Sequence, residues 1–344
     1  MSSAAFGTAR VSPVPRGPTA QPADRLSRGE VTAQPTPAAF ARRRATSVAS
    51  TVMRFSYAES MTDPSFYLPL ARAAEQAGFE GFVVPDSICY PEVSDSTYPY
   101  TPDGRREFLE DKPFLEPFSL IPAMAAVTER IRFNTFVVKL PIRHPVLVAK
   151  QASSVGVLTG GRFGFGVGLS PWPEDFEVCG VPWERRGKRM DECIEIIRGL
   201  MSGDYFEYHG EIFDVPSIKI CPVPVDPPPI LVGGHTEPAL RRAARLGDGW
   251  MHAGGDPGEL PGLLERLTNL RREYGRDEEP FEVHVISLDA YSPDGIAPLE
   301  DLGVTDVIVG FRWAYDLAPD SEPLEQKIET LKRFGDDVIA KVHS

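Results

Sequence analysis

The run Met53-Arg54-Phe55-Ser56-Tyr57-Ala58, the stretch from Pro64 to Ala77 closed by Gly78, and the run Gly81-Phe82-Val83-Val84 decide the fold. The first and last are short apolar runs of strand length, and the middle carries apolar residues at helical spacing with a glycine where a helix ends. The unit therefore reads strand–helix–strand. Outward from it the same alternation repeats. Further strands are expected at 131–138, 163–168, 229–232, 249–252, 281–286 and 304–309, and further helices at 114–128, 145–158, 184–202, 236–246, 257–274, 296–302 and 322–342. Strands that alternate with helices form parallel sheets. Eight such units after residue 52 fit an α/β chain folded as a (β/α)8 TIM barrel. A doubly wound open sheet would favour a glycine-rich turn after the first strand, and Tyr57-Ala58-Glu59-Ser60-Met61 is not one.

Two insertions interrupt the alternation. Residues 87–113, after the second strand, are polar and rich in Tyr and Pro, and include Tyr90, Tyr98 and Tyr100. Loops after strands lie on the catalytic face of a barrel, so this segment is a candidate lid. Residues 204–227, after the fourth unit, read as a β-hairpin over 205–213 and a proline-rich crossing.

The 344 residues carry a net charge of −13, with 25% charged and 42% hydrophobic residues. An acidic balance argues against general affinity for nucleic acid or anionic membranes. No window approaches the roughly 18 apolar residues of a membrane span. Cys89, Cys179, Cys193 and Cys221 show neither C-x-x-C spacing nor a metal-finger grouping, which suits reduced thiols in the cytoplasm. Residues 1–52 differ from the rest. They hold seven arginines against Asp24 and Glu30, are rich in Pro, Ala, Ser and Thr, and have no periodic apolar face. Such a segment is expected to be disordered, because it cannot bury enough surface to offset ordering entropy. It lacks the apolar core of a secretory signal and has weak amphipathicity for a transit peptide. An upstream extension before a start at Met53 is the favoured reading, and 53–344 is taken as the folded domain.

Catalytic groups of a barrel come from strand C-termini. This sequence places there Glu59 and Ser60, Asp86 and Ser87, Thr135 to Lys139 followed by Arg143 and His144, Gly168, Ser170 and Trp172, Gly233 to Thr236, His252, and Phe311-Arg312-Trp313. No H-x-H or H-E-x-x-H points to a metal, and no G-x-S-x-G elbow points to a hydrolase. The Gly164–Gly168 run lies within a strand, so it is not the dinucleotide fingerprint, which opens a helix. Gly233-Gly234-His235-Thr236 is more telling. Two glycines allow close backbone approach, Thr236 suits an N-cap, and bare helix amides can hold a phosphate. An ordinary strand-to-helix turn explains these residues equally well, and Glu237 would repel an anion.

Several segments in order resemble the luciferase-like superfamily of flavin and deazaflavin oxidoreductases. They are Arg143-His144-Pro145 with Ala149-Lys150-Gln151, Leu158-Thr159-Gly160-Gly161-Arg162-Phe163, Gly166-Val167-Gly168, Gly180-Val181-Pro182, Arg189-Met190-Asp191-Glu192, Ile230-Leu231-Val232-Gly233-Gly234, and Ala243-Ala244-Arg245-Leu246-Gly247-Asp248-Gly249-Trp250. The Thr-Gly-Gly-Arg and Leu-Gly-Asp-Gly-Trp runs look nearer the branch that binds coenzyme F-420 and transfers hydride. The alternative branch uses reduced FMN and oxygen as a monooxygenase, and a barrel that binds a cofactor without turnover is a further alternative.

The resemblance implies the following roles. The family's acidic-plus-histidine pair after strand two falls on Asp86 and Ser87; serine cannot be the general base, so acid–base work passes to Asp86, Glu59, His252 or the substrate. The bulge behind the ring, often with a non-prolyl cis peptide, falls on Thr135, Phe136 and Val137. Ring-edge and tail contacts fall on Gly168, Ser170 and Glu174, and the phosphate site on Gly233, Gly234, His235 and Thr236, with Arg312 as a further cation. Tyr57, Phe136, Trp172 and Trp313 suit the walls of the slot. Expected partners are a small-molecule substrate, a second copy in a homodimer, and a separate flavin or deazaflavin reductase.

Overall fold

The computed structural model describes residues 52–98, 101, 103–313 and 315–344. The tail read as unstructured, up to residue 51, and Tyr100 of the expected lid lie outside them.

In chain order the elements are β1 (Arg54–Ala58), α1 (Tyr67–Gln76), β2 (Gly81–Val84), α2 (Pro117–Ala125), β3 (Arg132–Thr135), β4 (Val138–Lys139), α3 (Pro145–Leu158), β5 (Phe163–Gly168), α4 (Pro173–Val178) and α5 (Arg186–Leu200). There follow β6 (Phe206–His209), β7 (Asp214–Ile218), β8 (Ile230–Gly233), α6 (Glu237–Leu246), β9 (Gly249–Met251), α7 (Leu260–Glu273), β10 (Glu282–Val285), α8 (Pro293–Asp301), β11 (Asp306–Val309), α9 (Leu324–Phe334) and α10 (Ala340–Val342). Proline opens α2, α3, α4 and α8, where its fixed φ suits the first helical position and its missing N–H costs nothing. This shifts two starts from their expected places, to Pro117 and Pro293. The six-residue α4 was not foreseen; it is too short to show a periodic face.

Every pairing in the main sheet is parallel, and β3 also pairs with β5, which closes the ring. With β3 and β4 counted as two halves of one strand, the barrel has eight staves, as the alternation predicted. The expected strand over 131–138 is broken at Phe136–Val137, whose peptide is cis. Its first half pairs with Phe163 and Gly164 of β5, and its second with Val167 and Gly168. The insertion after β2 is present, and the second one forms the antiparallel β6–β7 hairpin.

Register sorts the lumen into layers. The lower end holds Arg54, Arg132, Glu282, His284 and Asp306. Arg54 pairs with Asp306 at 2.6 Å, Arg132 with Glu282 at 2.9 Å, and His284 lies 2.8 Å from Glu282. Glu282, His284 and Asp306 also form a group with metal-like spacing, but both carboxylates are already engaged by guanidinium groups. The upper lumen is apolar: Val83, Leu231, Met251 and Ile308 are buried there, with Ala58, Phe136, Val137 and Ile286 packed on them and partly open toward the mouth. Outward-facing residues such as Phe55, Phe82, Phe133, Phe163 and Trp250 join the helices in the main core. Among the described residues no helix is long and apolar enough to cross a membrane.

Candidate active site

The candidate residues from the sequence stand at C-terminal strand ends or in the loops and helix starts that directly follow them, on one rim. They separate into three groups around the apolar floor of Ala58, Phe136, Val137 and Ile286.

The first group spans β2 to β5. Asp86 follows β2, and its side chain is almost wholly buried. Arg143 donates to Oδ1 at 3.0 Å and lies 2.9 Å from Oδ2, and the Lys139 amide donates to Oδ2 at 2.9 Å. Arg143 also donates to the Lys139 carbonyl at 2.9 Å. Asp86 thus ties β2 to the broken strand and to the start of α3. Lys139 is buried, and its Nζ meets Asp175 Oδ2 at 2.7 Å, off the line of a good hydrogen bond. Ser170 donates to the same Asp175 oxygen and accepts from the Trp172 amide at 3.1 Å. Ser87 is half-buried beside Asp86. Thr135 is buried and donates to the Gly166 carbonyl at 2.7 Å. Lys139 and Asp175 carry this group: the sequence places Lys139 at the C-terminal end of its strand but assigns it no role, and Asp175 lies in the first turn of α4, too short to show a periodic face.

The glycines of β5 and β8 accommodate the break in the strand. A Cβ on Gly168 would lie 2.5 Å from Val137 Cγ2, and one on Gly233 would lie 3.1 Å from Val137 Cγ1. A Cβ on Gly166 would strike the Thr135 carbonyl.

The lid lies against this group. Glu174 accepts from Ser96 Oγ at 3.1 Å and faces Arg106 at 3.8 Å. Burial pushes its carboxyl up, but bonds from Ser94 and Ser96 and the charge of Arg106 hold it below the usual carboxylate range. Arg106 is itself buried. It donates to Ser94 Oγ at 2.6 Å and sits over the rings of Tyr90 and Trp172 at 5.1 and 5.2 Å. Tyr98 stacks on Trp172 at 5.7 Å. Trp172 therefore anchors the lid, while Phe136 is the aromatic residue of the floor itself.

The second group follows β8 and β9. Gly234 has φ of +118°, a conformation that favours glycine. Its carbonyl accepts from the Trp250 indole at 2.8 Å. His235 and His252 stack with ring centroids 4.5 Å apart, and His235 Nε2 accepts from the Ala253 amide at 3.0 Å. Burial lowers His235, and burial followed by the neighbouring His235 lowers His252 to about 4, so both are neutral at pH 7. His252 is buried, and its Nδ1 makes no hydrogen bond within the described residues. Thr236 stands at the N-cap of α6 as expected, but its hydroxyl makes no capping bond. Glu237, which seemed hostile to an anion, is met by Arg241 at 2.8 Å and Arg266 at 2.9 Å.

The third group lies at β1 and β11. Glu59 is buried and accepts from Tyr57 Oη; Lys327 of α9 stands 3.3 Å away and also reaches Asp320 at 2.9 Å. Burial raises the Glu59 carboxyl, against the pull of Lys327. Arg312 donates to the Ser60 carbonyl at 2.7 Å and faces Asp320 at 3.7 Å. Tyr57 belongs to the outer core, and Trp313 is exposed. Beside this group a cleft of about 560 Å³ opens between the loops after β1 and β11 and the end of the lid, lined by Met61, Thr62, Glu110, Lys112, Leu317 and Asp320.

These residues fit a flat ring with an anionic tail. The floor is apolar and partly open, a helix N-terminus without a side-chain cap faces the same rim, and its one carboxylate is charge-paired. The basic cluster opening α5 is committed elsewhere: Arg185 and Lys188 pair with Glu211, and Arg186 lies over Trp183.

Known proteins match this architecture. Residues 40–300 match the model of the luciferase-like monooxygenase family. An uncharacterised protein of Mycobacterium tuberculosis is 63% identical over 290 residues, covering 84% of this chain and all of that protein. The F420-dependent glucose-6-phosphate dehydrogenase of Gordonia bronchialis is 26% identical, covering 72% of this chain and 70% of its own length. The crystal structure of the monooxygenase RslO1 from Streptomyces bottropensis superposes with a TM-score of 0.67 at 18% identity, over 84% of this chain and 99% of that one. With its closed ring of eight parallel staves and a family match over more than half its length, the chain belongs to the luciferase-like monooxygenase family.

Proposed function

We propose that the protein is a coenzyme F-420-dependent oxidoreductase that transfers hydride to or from a small organic substrate. One observation carries the reading. Val137 of the apolar floor packs on Gly233, the residue from which the chain turns through Gly234 into the uncapped start of α6. A ring on that floor therefore has a phosphate-binding terminus beside it. The Gordonia relative supports the deazaflavin branch by its name. Bound there, the deazaflavin supplies hydride chemistry at its C5.

The chain's own residues hold the ring and manage protons. Ala58, Phe136, Val137 and Ile286 exclude water beneath it. Asp86 is a positioning residue: its two oxygens face the Arg143 guanidinium and the Lys139 amide. Glu59 is likewise held, by Tyr57 and Lys327, so acid–base work falls to His252, whose buried Nδ1 makes no hydrogen bond within the described residues, or to the substrate. A second reading, an FMN-dependent monooxygenase supplied by a separate reductase, draws on the family description and on RslO1. A homodimer is part of the proposal in either case.

The test is equilibrium titration of the protein with oxidised F-420 and with FMN, repeated on Thr236→Asp. Aspartate is a better N-cap than threonine, so the fold survives, but its charge stands where the phosphate belongs. The expected result is tighter binding of F-420 than FMN, and at least a roughly tenfold loss in the variant with no drop in melting temperature. Tighter binding of FMN selects the second reading. Unchanged affinity in Thr236→Asp removes the phosphate assignment.

A further inference from the structure

Lys139 is a cation without an evident structural need. Its backbone is already fixed, the amide by Asp86 and the carbonyl by Arg143. Val138 pairs with Val167 on the outer face of the sheet, and Lys139 pairs with Gly168, which shares the lumen-facing register with Gly164 and Gly166. The lysine thus leaves the strand on the inner side, two residues after the floor's Val137 and opposite a residue with no side chain. Its side chain is nine-tenths buried. An ammonium has three donors, and the Asp175 oxygen at 2.7 Å pairs with its charge but lies off the line of a good hydrogen bond.

Asp175 is itself held. Ser170 donates to its Oδ2, and Cys89 of the lid lies 3.8 Å from its Oδ1. Burying two charges costs their hydration, and an apolar pair of the same size would hold the loop as well. Retention of the pair at the strand end, with the ammonium donors making no well-aligned hydrogen bond within the described residues, points to a ligand with a negative oxygen.

We infer that Lys139 is a binding residue of the coenzyme: its ammonium, set by Asp175 and Ser170, engages an anionic oxygen of the bound ring at the inner rim of the mouth. This rests on the coenzyme reading above. A cation at that place favours the more negative, reduced form of the ring over the oxidised one, so it raises the midpoint potential. Arginine keeps the charge, and methionine removes it.

The experiment compares wild type, Lys139→Arg, Lys139→Met and the double variant Lys139→Met with Asp175→Leu. Each is titrated with F-420 and with FMN in the absence of substrate, and the midpoint potential of the coenzyme that binds is measured. Lys139→Met alone strands a buried carboxylate; the double variant removes it and keeps the volume apolar, so its melting temperature stays near that of wild type. We expect both methionine variants to bind roughly 10- to 100-fold more weakly, the worth of one hydrogen bond to a charged group. Their potentials should be more negative, by about 30 mV for each tenfold loss of preference for the reduced form of a two-electron couple. Lys139→Arg should retain both properties. A double variant with wild-type affinity and potential overturns the inference and leaves the coenzyme reading standing. A wild type that binds neither coenzyme overturns both.

Discussion

Val137 fills the space that a side chain on Gly168 would take: a Cβ there would lie 2.5 Å from Val137 Cγ2. The glycine of β5 is therefore a seat for the broken strand before it is anything for a cofactor. Gly168→Ala should push Val137 off the floor and destabilise the barrel by about 1–3 kcal/mol, the usual cost of overpacking. Coenzyme affinity should fall with it. Denaturant unfolding and a binding titration check this; an alanine variant as stable and as tightly binding as wild type would show that the floor tolerates the extra methyl.

Gly262 offers the opposite case. It lies exposed within α7, and a Cβ there meets nothing within 4 Å. Gly262→Ala should raise stability by roughly 0.5–1 kcal/mol, since alanine loses less backbone entropy in a helix. Thermal melting reads the gain, and coenzyme binding should not change.

Asp86→Ala leaves Arg143 without its carboxylate and frees the Lys139 amide. Removing one partner of a buried pair costs about 3 kcal/mol here, the low end of the range because Arg143 is partly exposed. Asp86→Asn keeps an acceptor for the amide and should lose less. Urea midpoints at constant slope rank the two variants.

His252 makes stability pH-dependent. Its folded value is lowered to about 4 from an unfolded 6.5. Between those values the unfolded chain holds the extra proton. The contribution is thus whole above pH 6.5 and is lost as pH falls from there to 4. The full loss is at most about 3 kcal/mol. His252→Gln should flatten that part of the stability curve; a slope unchanged between pH 6.5 and 4 would assign it to other groups.

Arg106 fastens the lid through Ser94, Glu174 and the rings of Tyr90 and Trp172. Arg106→Ala should speed hydrogen exchange over residues 90–98 while exchange in β1, β2 and β5 stays as it was, because the lid adds little to the barrel core. Equal protection of the lid in both proteins would mean that Tyr98 on Trp172 suffices.

How much of this was legible in the chain depends on the range of the interaction. Helix α3 begins and ends where Pro145 and the apolar spacing place it, and β5 covers the expected 163–168. Alternation of period and proline or glycine punctuation are local properties, so eight units and a closed barrel could be read from neighbouring residues alone. The rim followed from that topology, since each strand's C-terminal residues must lie at one end. The break at Phe136–Val137 could not be read from spacing; it came only from the family resemblance, because 131–138 is continuously strand-like.

What only the tertiary structure decided is which charges meet. Glu59 and Lys327 stand 268 positions apart, and α9 brings them together. Asp86 takes Arg143 and a backbone amide, Lys139 takes Asp175, and Glu237 takes Arg241 and Arg266. A sequence states each residue's charge and its place on a strand or helix. Pairing depends on how staves and helices pack around the closed ring, and that is set by the whole core at once.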